Sequence, residues 1–174
     1  GIKMKKILLL GIVLGATLYA GIVDEALDAS KNGNNTKALE LFDKACADDN
    51  AVGCYYSAQA YNSGVIIEQD VSRALKTFTK SCDLGYLESC LTVARSYYKA
   101  QGIDRDYVKA NDLYSKACDG GIAEGCVTSG LILELGKGMS RDLGKAKAQY
   151  KKACALGKKK ACYFYNDLEH MGVK

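Results

Sequence analysis

The 174-residue chain is predicted to be all-α, an α/α solenoid of 36-residue repeats. Three observations carry that expectation. Eight cysteines fall into the pairs Cys46/Cys54, Cys82/Cys90, Cys118/Cys126 and Cys154/Cys162, eight residues apart within a pair and 36 from pair to pair. Other columns keep the same beat: Ala38, Ala74, Ala110 and Ala146, then Phe42, Phe78, Tyr114 and Tyr150. The chain has no proline and no strand-like alternation. A fixed period of this length marks units that bury their apolar faces only against their neighbours.

The elements follow in order. Met4-Lys5-Lys6 is a basic start, Ile7 to Leu18 is apolar, and Tyr19-Ala20 ends on a small residue. This is the pattern of a secretory signal peptide, too short for a stable membrane span. Cleavage is expected after Ala20, and Gly1–Lys3 are read as a start-site artefact. One repeat domain is then expected over residues 21–174. Helices are predicted near 22–32, 35–47, 51–63, 71–83, 87–100, 107–118, 123–135, 143–155 and 159–171. In the fourth, Ala74, Phe78 and Ser81 share one face at i, i+4 and i+7. Asp70 stands where its carboxylate can accept from the free amides of the first turn. Asp106 and Asp142 repeat that position, and Asn34 takes it in the first unit. In the fifth helix Val93, Ala94 and Tyr97 point inward. At the end of the last, Asn166 and Glu169 replace small or apolar residues of earlier units, as a capping helix requires.

Between paired cysteines the chain must turn. Residues eight apart on one helix are about 12 Å apart along its axis, whereas a disulfide needs Cα atoms within roughly 7 Å. Gly85, Gly121 and Gly157 supply the break, at the left-handed position that ends a helix. Eight cysteines allow 105 pairings, and the period singles out the four local ones. The in-pair spacing is too wide for structural zinc, and there is one histidine, so no metal is expected. Disulfides and an export signal together predict an oxidising compartment, periplasmic or outside the cell.

Net charge does not point to nucleic acid. Without Lys3, Lys5 and Lys6 the chain holds 21 basic and 20 acidic residues. The distribution is uneven: residues 137–174 carry ten Lys/Arg against three Asp/Glu, and residues 21–136 carry eleven against seventeen. Lys151, Lys152, Lys158, Lys159 and Lys160, with Lys145, form a candidate anion patch; the plainer reading is a solvated end.

The pattern Asp70-x-x-Arg73-Ala74-x-x-x-Phe78-x-Lys80-Ser81-Cys82, followed by Cys90 and Tyr97-x-x-Ala100, resembles the Sel-like repeat, a relative of the tetratricopeptide repeat. The 36-residue length and doubled cysteines are similar to the cysteine-rich Hcp family of Helicobacter. The resemblance covers nearly all of residues 22–172. It implies a right-handed α/α superhelix, one disulfide per unit and a periplasmic or secreted location. It also implies two functions. One is a scaffold holding a peptide or protein partner in its concave groove. The alternative is a penicillin-binding protein with weak β-lactamase activity, its ligand a β-lactam or a cell-wall fragment.

The enzyme reading lacks a motif. Serine β-lactamases combine Ser-x-x-Lys with Ser-Asp-Asn and Lys-Thr-Gly elements. This chain has one Ser-x-x-Lys, Ser96–Lys99, about what chance gives with ten serines and twenty lysines, and neither other element. The lone His170 cannot furnish a metal site. The catalytic residues are therefore unassigned and no cofactor is expected. For the scaffold reading, tetratricopeptide-like stacking puts the first helix of each pair on the concave face. That places Tyr55, Gln59 and Asn62 on the groove, then Glu88, Leu91, Arg95 and Tyr98, then Leu131 and Glu134, then Tyr163. Rings cover apolar side chains, while Asn, Gln and Arg grip backbone or carboxylate. A monomer is expected.

Overall fold

The computed structural model describes residues 21–174; the signal-peptide reading of residues 1–20 lies outside the described residues. The helices are α1 (21–31), α2 (Asn35–Ala47), α3 (Ala51–Ser63), α4 (Val71–Asp83), α5 (Leu87–Lys99), α6 (Tyr107–Asp119), α7 (Ala123–Leu135), α8 (Leu143–Ala155) and α9 (Lys159–His170). No strand occurs among the described residues. Every helix lies within one residue of its predicted bounds at each end. The agreement follows from punctuation that the sequence repeats. Asp70, Asp106 and Asp142 accept from the amides of Arg73, Lys109 and Lys145 at 2.8, 2.9 and 2.9 Å. Asn34 does the same for Lys37 at 3.3 Å. Each cap satisfies an amide that the first turn leaves without a partner. The same three aspartates donate their own amides back to the carbonyls of Tyr61, Tyr97 and Leu133. One residue thus starts a helix and ties the loop to the helix before it.

The described residues form two compact units, one ending at Gly85 and one running from Tyr86 to Lys174. In the first, α2 packs on α3 and α3 on α4. Its core is Val23, Ala26, Ala29, Ala38, Phe42 and Ala45, flanked by Leu27, Leu41 and Tyr56. Phe42 stacks on Tyr56 with ring centroids 4.9 Å apart. Burying such a ring stabilises by about 1.5–3 kcal/mol. The second unit packs each helix on its sequence neighbour from α5 to α9. One cluster gathers Leu133, Ala146, Tyr150 and Leu168. Another gathers Cys118, Cys126, Ala153 and Ala161.

The cysteines pair locally. Cys46–Cys54, Cys118–Cys126 and Cys154–Cys162 are disulfides with Cα atoms 4.3, 4.6 and 4.7 Å apart. Cys82 and Cys90 are also disulfide-bonded, and no cysteine among the described residues is free. The turns that allow this use Gly85, Gly121 and Gly157 at φ of 98°, 91° and 87°, where an L side chain is strained. A second glycine requirement is steric. A Cβ on Gly125 would lie 2.5 Å from the Tyr114 carbonyl oxygen and 2.9 Å from the Cys118 nitrogen, so α7 and α6 approach closely at their bridge.

Candidate functional site

An open cleft of about 480 Å³ lies in the first unit. Helices α2 and α3 form its walls, α1 and the loop after α3 its ends. Leu39, Phe42 and Tyr56 give an apolar floor; Ser30, Asn35, Gln59 and Asn62 give a polar rim. Val65, also on the lining, is 81% exposed. Among the described residues, no Asp, Glu, Lys or Arg lines the cleft. Among the described residues the side chains of Asn35 and Asn62 form no hydrogen bond, whereas the Gln59 amide donates to the Tyr55 hydroxyl at 2.6 Å. Sequence reasoning named Gln59 and Asn62 but missed Asn35, Tyr56 and Val65. Comparing columns at two-repeat spacing would have found two of them, because Asn35 stands in phase with Tyr107 and Val65 with Lys137.

A polar cluster lies beside this cleft in the first unit. The Asp43 carboxylate accepts from Ser57 at 2.5 Å and from the Tyr61 hydroxyl at 2.6 Å, and pairs with Arg73 at 3.5 Å. The Arg73 guanidinium lies over the Tyr61 ring, 3.9 Å from its centroid. Burial, with the Asp43 bond and charge behind it, pushes the Tyr61 hydroxyl up to about 12. This group holds α2, α3 and α4 in register and leaves its members little capacity for a ligand.

In the second unit the expected groove residues are mostly engaged. Arg95 pairs with Glu124 at 2.8 Å. The Tyr98 hydroxyl accepts from Lys137 at 2.7 Å, a bond that raises the lysine above its ordinary range. Glu134 accepts from the Tyr150 hydroxyl at 2.6 Å; burial first, then that carboxylate, pushes the phenol up. Leu131 is half-buried against the core, while Glu88 and Tyr163 are exposed. Leu91 corrects the expectation: it is 7% exposed and belongs to the core. Its column packs toward the following helix, as Tyr55 does against the Phe78 ring at 5.9 Å. Tyr163 closes the same column and is 75% exposed.

Of the lysines grouped as an anion patch, Lys152 pairs with Asp119 at 2.7 Å. Lys151, Lys158, Lys159 and Lys160 are exposed and have no ion pair among the described residues. The chance-level Ser-x-x-Lys is spent locally: Ser96 donates to the Thr92 carbonyl at 3.1 Å within α5, and Lys99 is exposed. Glu169 on the last helix accepts from Lys147 at 2.6 Å, which holds its carboxyl below the usual range.

The Sel1 repeat family model matches residues 24–50, 51–86, 88–122 and 126–158. No curated protein matches the chain. Among solved structures, a protective antigen of uropathogenic Escherichia coli with an SLR fold is similar at 24% identity and a TM-score of 0.77, covering 86% of this chain and 33% of its own. A Sel1 repeat protein from Oxalobacter formigenes is similar at 20% identity and a TM-score of 0.73, covering 88% of this chain and 64% of its own. The chain therefore spans a third of the first relative and just under two thirds of the second. Helicobacter pylori cysteine rich protein B is 28% identical with a TM-score of 0.56, covering 73% of this chain and 91% of its own. The repeat period, the capped helix pairs and these matches agree: the chain belongs to the Sel1 repeat family.

Proposed function

We propose that the chain is a periplasmic or secreted scaffold that binds a peptide or protein partner on the inner faces of its helix pairs. One observation carries this reading. Among the described residues the side-chain amides at the rim of the first unit's cleft, Asn35 and Asn62, have no hydrogen-bond partner around an apolar floor, whereas the matching face of the second unit is occupied by its own pairs. An apolar floor with a few convergent polar groups is the ordinary form of a recognition site. Unbonded amides can take both the N–H and the C=O of an extended backbone. Disulfides persist in oxidising compartments, which supports the extracytoplasmic location. No observation favours the β-lactam alternative: Ser96 is committed within its helix.

The test is selection of binders from a random peptide display library on the oxidised chain. Asn62→Ala should weaken the selected peptide at least tenfold, about 1.4 kcal/mol, with the melting temperature unchanged. Arg95→Ala breaks an exposed ion pair outside the cleft and should leave both affinity and fold unchanged. If Asn62→Ala binds the peptide as the wild type does, or Arg95→Ala weakens it as much, the assignment to the first unit's cleft falls. In a parallel nitrocefin assay, hydrolysis by wild type that Ser96→Ala abolishes would support the enzyme reading instead.

A further inference from the structure

The first unit's cleft is a space that the second unit fills with its own side chains. Two repeat lengths separate Asn35 from Tyr107, Phe42 from Tyr114 and Val65 from Lys137. Ser30 and Tyr98 are each the second-to-last residue of their helices, α1 and α5. In the second unit Tyr98 and Tyr107 meet edge to face with centroids 5.3 Å apart, and Tyr98 lies 6.4 Å from Tyr114. The Lys137 ammonium closes this group, 4.8 and 5.5 Å from the centroids of Tyr98 and Tyr107. In the first unit the corresponding side chains are Ser30, Asn35 and Val65. Both rings and the cation are missing, and the cleft opens over Phe42 and Tyr56.

We propose that this cleft takes a tyrosine or phenylalanine side chain from an uncharged segment of the partner peptide. The proposal rests on the peptide-binding reading above and names the chemistry of the ligand. The second unit shows what such a space holds: an aromatic ring set edge-on to its neighbours, the arrangement that aromatic pairs prefer. Phe42 and Tyr56 are already stacked at 4.9 Å and offer the same kind of surface. Electrostatics selects the same occupant. Among the described residues the lining has no ionisable Asp, Glu, Lys or Arg, so a charged side chain would lose water without gaining a counter-charge there, whereas a neutral ring loses little. Asn35, Asn62 and Gln59 remain at the rim for the flanking peptide groups and for a tyrosine hydroxyl. Val65 would lose much of its 81% exposure under the ring.

The experiment uses the full oxidised chain and three blocked pentapeptides, acetyl-Ala-Ala-X-Ala-Ala-amide, with Tyr, Leu or Glu at the centre. Binding is read from the NMR side-chain amide signals of Gln59 and Asn62. The Tyr peptide should give saturable shifts, the Leu peptide should bind at least tenfold more weakly, and the Glu peptide should give none. Asn35→Tyr/Val65→Lys installs the second unit's filling and should reduce Tyr-peptide affinity at least tenfold, with a melting temperature no lower than wild type. Equal affinity for the Tyr and Leu peptides, or wild-type affinity in the folded double variant, overturns the proposal. If the double variant does not fold, the wild-type comparison of Tyr and Leu peptides decides alone. Self-association that the double variant abolishes would show a second copy in the cleft, and also overturns it. A library-selected peptide without an aromatic residue that still needs Asn62 would overturn this inference and leave the peptide-binding reading standing.

Discussion

Tyr114 shows how one buried side chain sets a pH limit. It is 3% exposed, and burial pushes its hydroxyl from the usual 10 up to about 12. Tyr61 is raised to the same level. A group whose folded pKa is raised binds its proton more tightly in the folded state. Its stabilisation is complete below pH 10 and is lost as pH rises toward 12. The melting temperature should therefore fall steeply across that window. Tyr114→Phe should retain wild-type stability at pH 7, because Phe42 and Phe78 fill the same column, and should flatten part of the alkaline fall. An unchanged alkaline limb in that variant would remove Tyr114 as a cause. The caps act at the opposite end of the scale. Amide bonds from Lys109 and Lys145 hold the carboxyls of Asp106 and Asp142 below their ordinary range. The stability they bring is present at neutral pH and is lost in acid, as pH falls through those lowered values. Residue chemistry was readable where one column repeats one role, as in Asn34, Asp70, Asp106 and Asp142. It was not readable for Leu91, whose burial depends on a neighbouring helix and not on its own periodicity.

At the scale of the element, helix boundaries were legible because cap, glycine and cysteine recur at fixed offsets, and each acts within a few residues of itself. Asp70→Ala removes one such mark, the bond to the Arg73 amide. It should cost about 1 kcal/mol, measured as a lowered urea midpoint with unchanged helical content. Gly125→Ala should cost more. Its Cβ would meet backbone atoms of α6 at 2.5 and 2.9 Å, and overpacking of this kind costs about 1–3 kcal/mol. A neutral Gly125→Ala would mean that α7 can move away from α6 without loss. Open space was much less legible than the helices. A cleft appears where side chains are too small to fill it, so it emerges only when Asn35 and Val65 are compared with Tyr107 and Lys137. The partners of Arg95 and Glu134 were equally invisible, because Glu124 and Tyr150 reach them through packing and not through sequence spacing.

For the whole molecule, the repeat makes stability approximately a sum of units and neighbour interfaces. Each disulfide closes a short loop and should contribute about 2.5 kcal/mol through the unfolded chain. Replacing Cys118 and Cys126 together by serine should lower the thermal midpoint while the helices of the first unit persist, followed by hydrogen exchange residue by residue. Loss of protection throughout would contradict the additive picture. The uneven charge should act on association. Neutralising the exposed Lys158, Lys159 and Lys160 should slow binding of an acidic partner and flatten its salt dependence, with a smaller effect on dissociation. Binding on the inner face is tested most directly by finding where a ligand sits. A library-selected peptide should be titrated into the isotopically labelled, oxidised chain, and the side-chain amide signals of Asn35, Gln59 and Asn62 followed. Inner-face binding predicts that these three shift together and saturate with one dissociation constant. Shifts confined to α4, α6 and α8, with those amides unmoved, would contradict it.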